Sequence, residues 1–189
     1  MMIKIALPAL LACTSALAIS HEFSEPMEDH LKNEAMGWIN NSAVINAINT
    51  QNMKHAGLTN AAILELDGKW RSGVNSGNSM LIDSLLSNEL SQYLKGVKDE
   101  YAGLYTEIFV MDNKGLNVGQ SDITSDYWQG DEGKWQNTFS KGANAFEIGD
   151  LEEDESTGEF QSQLSTSIVD PATGKVIGAV TIGIAIDGL

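Results

Sequence analysis

The apolar positions Met27, Leu31, Ala35, Trp38, Ile45 and Ile48 recur at steps of three, four and seven. That spacing lays one stripe along an amphipathic helix. Ser24-Glu25-Pro26 offers a capping hydroxyl, an early acid and an early proline, so a long helix is expected over residues 24–54. Gly57 closes it. Residues 61–71 (AAILELDGKWR) are mixed, an apolar run followed by the turn signal Asp67-Gly68. A second helix is expected over 80–101, with Leu81, Leu85, Leu86, Leu90, Leu94 and Val97 on one side and Gly103 after it.

The period then falls to two. Residues 106–112 (TEIFVMD) read as a strand, Asn113-Lys114-Gly115 as a hairpin turn, and 116–121 as the return strand. A loop over 122–130 carries Tyr127 and Trp128, and Asp131 is placed to cap a short helix running to Phe139. Residues 145–151, 160–169 and 176–186 complete five strands, with an acidic connection after the third and the turn Asp170-Pro171-Ala172-Thr173-Gly174 before the last. Helices first, then strands joined by tight turns, predict an α+β fold: a long N-terminal helix and a five-stranded antiparallel sheet with helices on one face. No internal repeat or domain linker is visible.

The first eighteen residues stand apart. Lys4, the apolar stretch 5–12 and the small residues Ala16 and Ala18 read as a secretory signal peptide, leaving 19–189 as the domain. Leu10-Leu11-Ala12-Cys13 loosely matches a lipoprotein cleavage box, the alternative in which Cys13 anchors the chain. No later stretch approaches eighteen consecutive apolar residues. The expected product is exported, periplasmic or secreted.

Charge narrows the partners. Eleven basic against 26 acidic residues give a net charge of −15, which repels the phosphate backbone, so nucleic acid is not expected as a partner. One cysteine excludes an internal disulfide framework, and three scattered histidines, His21, His30 and His55, offer no metal-ligand spacing. The sequence holds no G-x-S-x-G, H-E-x-x-H, Walker or Rossmann motif, and no triad context for its histidines. Neither a cofactor nor an enzymatic activity is expected. The acidic run Asp150, Glu152, Glu153, Asp154, Glu155 and Glu159 lacks EF-hand spacing and reads as a solvated hairpin tip.

The order of elements, with IFVMDNKGLNVGQS, SDYWQGDEGKW, LDGKWR, DPATGK and the closing IGAVTIGIAID, resembles the extracytoplasmic PAS-like sensor domains called PDC or Cache domains. The resemblance spans about residues 25–189 and is closest to single Cache domains of bacterial chemoreceptors and sensor enzymes. It implies a small-molecule pocket under the loop and short helix between the second and third strands. Receptors of that family continue into a membrane helix and a cytoplasmic output, whereas this sequence ends at Leu189. The expectation is therefore a binding domain that works through a membrane partner or a homodimer.

The candidate ligand-binding residues are Tyr127, Trp128, Trp135, Ser121, Thr124, Asp126 and Arg71. Aromatics interleaved with hydroxyls and carboxylates suit a small-molecule pocket. The same aromatics would equally pack the short helix onto the sheet, and Asp131 serves either as cap or as pocket acceptor. Arg71 is the single arginine, placed either to grip a carboxylate or to pair with one of the many acids. The scarcity of cations leans towards an amine or amino acid as ligand. Two other functions compete: a ligand-free interaction module using the amphipathic face of residues 27–48, and a hydrolase using Asp or Glu residues.

Overall fold

A pair of asparagines divides the first helical stretch. In the computed structural model, which describes residues 15–153 and 160–189 (side chains of 15–22 and 153 excepted), α1 runs Ser15–His30. A π-helical turn (Leu31–Ala35) and α2 (Met36–Ile39) continue it. Asn41 then leaves the helix at φ −62°, ψ 141°, and its side chain accepts the Ala43 N–H at 2.9 Å to start α3 (Ser42–Lys54). The uninterrupted helix expected over 24–54 is thus two segments, because a short amide side chain caps a new helix better than it fills an old one. Cys13 and the rest of residues 1–14, with Asp154, Glu155 and Glu159, lie outside the described residues.

The stretch read as mixed is a full helix. Thr59 caps α4 (Asn60–Ser76) by accepting the Ala62 N–H, and Gly77 ends it at φ 66°. Asp67-Gly68 makes no turn here. Asp67 is buried and its carboxylate is committed to distant backbone, so tertiary contacts override the local signal. The helix expected over 80–101 is also split. Ser79 caps α5 (Met80–Leu86) and Asn88 caps α6 (Glu89–Glu100).

The sheet contains β1 (Tyr105–Met111), β2 (Asn117–Gln120), β3 (Phe146–Ile148), β4 (Glu152–Glu153), β5 (Phe160–Val169) and β6 (Val176–Ala185). All pairings are antiparallel, in the order β2-β1-β6-β5-β3. β4 also pairs with β5, further along the same edge as β3, so the sheet is five strands wide with one edge made of two pieces. The expected α+β architecture with a five-stranded antiparallel sheet is present.

The sheet has two different faces. Ile108, Val110, Leu164, Ile168, Val180, Ile182 and Ile184 pack against Met27, Leu31, Ile39, Ile45, Ile48, Leu90 and Leu94 from α1 to α3 and α6. A second cluster lies beside the sheet, where Ile63, Trp70, Ile82, Leu85, Leu116 and Tyr127 join α4 and α5 to the loop after β2. On the opposite face Phe109, Met111 and Ala179 are covered by Trp135 and Phe139. That cover is α7 (Gly133–Gln136) and a 3₁₀ turn (Phe139–Lys141). Glu132, without a side-chain cap bond, occupies the α7 N-cap; Asp131 is one residue too early and exposed, which corrects the expectation that it caps this helix.

Candidate functional site

The sheet face opposite the main helical layer carries polar residues where strand alternation puts them. Glu107 and Phe109 on β1, Thr181 and Gly183 on β6, and Gln163 and Ser165 on β5 share it by register. Glu107 and Gln163 both sit opposite Gly183 on the strand between them. With no side chain at Gly183, Gln163 Nε2 spans that strand and donates to Glu107 Oε1 at 2.8 Å. Next to them Ser165 and Thr181 share a hydroxyl hydrogen bond at 2.9 Å.

Above this floor lies a cavity of about 150 Å³. Glu107, Phe109 and Gln163 form its base, and Thr124, Ser125, Gln129 and Lys134 its wall, with Ile123 at the mouth. Burial pushes the Glu107 carboxyl above the usual carboxylate range. The Gln163 hydrogen bond, Lys134 and Lys98 act in the opposite direction, and Asp122 adds to the rise. Lys134 is held by Glu132 at 2.9 Å, with its Nζ 5.4 Å from the Phe109 ring centre.

The wall is built by long-range contacts. Asp67 Oδ1 accepts the backbone N–H groups of Tyr127 and Trp128 at 3.0 and 3.1 Å. Arg71 Nε sits 2.8 Å from both Asp67 Oδ2 and Asp126 Oδ1. The single arginine is therefore engaged with two carboxylates. Asn117 Nδ2 donates to Thr124 Oγ1 at 2.9 Å and to Gln120 Oε1 at 3.0 Å, fixing the start of the loop on β2.

The seven residues proposed from sequence do not meet at one point. Thr124 lines the cavity. Asp126 and Arg71 pair with each other at the base of the loop. Tyr127 is buried and stacks on Trp70, centroids 5.4 Å apart, in the second core cluster. Trp128 donates to the Lys114 carbonyl at 2.8 Å and borders a different, apolar recess of about 170 Å³ with Asn60, Ile63 and Leu64. Trp135 stacks on Phe139 and donates to the Asp112 carbonyl at 3.1 Å. Ser121 Oγ accepts the Ile108 N–H and donates to Asp122, closing the β1–β2 ladder.

The cavity's charged floor was missed. Glu107 sits between Thr106 and the apolar run Ile108 to Met111, and Gln163 is one of several polar residues in FQSQLSTSIV. A carboxylate at the head of an apolar strand run was the available signal. Among the described residues no cluster of His, Cys, Asp and Glu could hold a metal ion, and no helix is long and apolar enough to cross a membrane.

No protein-family model matches the sequence, and no curated protein matches it. Solved structures similar to the chain include sensor domains of histidine kinases and chemoreceptors. The V. cholerae histidine kinase DctB sensor domain matches with a TM-score of 0.39 at 11% identity, over 91% of this chain and 58% of that one. The ligand-binding domain of Campylobacter jejuni chemoreceptor Tlp3, solved with 4-methylisoleucine, gives 0.39 at 12%, over 92% and 61%. That of the Pseudomonas aeruginosa PAO1 amino acid chemoreceptor PctC, solved with GABA, gives 0.42 at 13%, over 65% and 60%. The chain spans about three fifths of the length of each.

Proposed function

We propose that the protein is an exported small-molecule-binding sensor domain, with its ligand in the cavity between Glu107 and Gln163 below and the 123–134 segment above. One observation carries this reading: a half-buried carboxylate and an amide line an open polar cavity on the sheet face opposite the main helical layer. A carboxylate of this kind is costly to bury, and an uncharged amide offsets only part of that cost. Pockets with a few converging polar groups are where small molecules bind.

The cover over the cavity connects to the helical layer. Trp135 donates to the Asp112 carbonyl. The Asp112 carboxylate, fully buried, takes Gln51 Nε2 at 3.0 Å from α3 and His55 Nδ1 at 2.9 Å from the residue that ends it. A ligand that moves α7 thereby acts on α3 through the β1–β2 turn, and a change in a homodimer or membrane-partner contact would follow. Export through the 1–18 signal peptide, or anchoring through Cys13, belongs to the same reading.

The interaction-module alternative needs the apolar face of residues 27–48 to be free. Met27, Leu31, Ile45 and Ile48 are instead buried in the domain's own core.

Gln163→Trp tests the proposal, because strand alternation aims the new ring into the cavity. Small-molecule binding to the purified protein should be abolished in a variant that still unfolds cooperatively. Undiminished binding in Gln163→Trp would place the ligand elsewhere.

A further inference from the structure

We propose that the cavity takes a small ammonium-bearing molecule, with Glu107 as the group that receives its charge. This rests on the reading of the cavity as a ligand site and adds its chemical selectivity. Three groups in or near the cavity carry the argument. Arg71, the strongest anion receptor available, is spent on Asp67 and Asp126. Lys134 is already paired with Glu132 and lies near the Phe109 ring. Glu107 has an uncharged amide, Gln163, as its hydrogen-bond partner. A ligand cation thus finds a carboxylate with no ion pair, while a ligand anion finds only a lysine that already has one.

Size and field agree. A cavity of about 150 Å³ holds a molecule of roughly six non-hydrogen atoms. A chain of net charge −15 draws cations towards such a site and repels anions.

The selectivity is coupled to protons. The charged groups facing Glu107 are Lys134 on α7, itself paired with Glu132, Lys98 on α6 and Asp122 after β2. Burial outweighs them and lifts the Glu107 pKa. An ammonium binds the ionised carboxylate, so binding releases a proton wherever Glu107 was protonated. Affinity then falls as pH drops through the raised pKa, approaching about tenfold per pH unit below it.

Calorimetric titration of the purified protein tests this, with ethylammonium, glycine and β-alanine against acetate and propionate, between pH 5 and 8. Ammonium-bearing probes should bind and the two carboxylates should not. Glu107→Gln, which retains an acceptor for Gln163, should weaken binding roughly 10- to 100-fold and remove its pH dependence. Ammonium binding that survives Glu107→Gln unchanged overturns the proposal. Binding of acetate or propionate alone, abolished by Gln163→Trp, overturns it while leaving the cavity as the ligand site. No binding by any probe removes both.

Discussion

Glu107 and Gln163 touch across a strand that separates them, and they do so because Gly183 lies between. Glu107 on β1 and Gln163 on β5 each face Gly183 of β6, and their side chains meet at 2.8 Å over it. A Cβ at Gly183 would come 2.8 Å from Glu107 Cγ and would also strike Thr106 Oγ1. Gly183→Ala is therefore expected to displace Glu107 and to destabilise the fold by about 1–3 kcal/mol. Urea unfolding measures the cost. A change under about 0.5 kcal/mol would show that the floor gives way more freely than its packing implies.

Asp67 and the loop it holds give a second expectation. Its carboxylate accepts two backbone N–H groups and pairs with Arg71. Hydrogen bonds to a charged group are worth about 1.5–3 kcal/mol each. Asp67→Ala should cost about 2–4 kcal/mol and speed amide exchange at Tyr127 and Trp128 by more than at β5 and β6. Exchange that rises equally everywhere would mean Asp67 supports the whole fold and not the loop in particular.

Asp112 should be the more sensitive acid. It accepts from Lys114 and Leu116 in the turn and from Gln51 of α3 and His55 at its end, with no exposure. Its removal leaves buried donors unpaired. Asp112→Ala is expected to cost about 3–5 kcal/mol, and Asp112→Asn less, since the amide oxygen still serves the turn. Equal losses in the two variants would argue that the charge, and not the set of acceptors, is what counts.

The raised pKa of Glu107 has a stability consequence with a definite sign. Its protonated form is favoured in the folded state, so its contribution to stability is present below the ordinary carboxylate pKa. That contribution is lost as pH rises through the folded-state value. Glu107→Gln should therefore be more stable than the natural chain at pH 7–8, with the two converging near pH 4. Unfolding free energies against pH read this directly, and a gap that widens on acidification contradicts it.

How much of this was legible beforehand differs by element. The strands, both hairpin turns and the α+β order follow from period-two apolar runs ending in Asn-Lys-Gly and Asp-Pro-Ala-Thr-Gly, signals that act within a few residues. The breaks at Asn41 and Asn88 were also local, but caps inside an unbroken apolar stripe are easily read through. Helix α4 was hidden for the opposite reason. Asp67-Gly68 looks like a turn until the backbone of Tyr127 and Trp128, sixty positions later, takes up the carboxylate. The loop's composition marks it as unusual, yet Tyr127 turns towards Trp70 and Trp135 towards Phe139, as large apolar rings do when a core is within reach. The cavity floor is made by Glu107 and Gln163, which are 56 residues apart and meet only through sheet register. No local pattern encodes that meeting.

Thermal unfolding of the purified protein with and without small polar molecules, run beside Gln163→Trp, tests the central claim most directly. A ligand at about 100 times its dissociation constant stabilises by roughly 2.7 kcal/mol, a shift of about 5–10 °C for a chain of this size. The account predicts such a shift in the natural chain and its loss in Gln163→Trp. A shift of the same size in both proteins would contradict it.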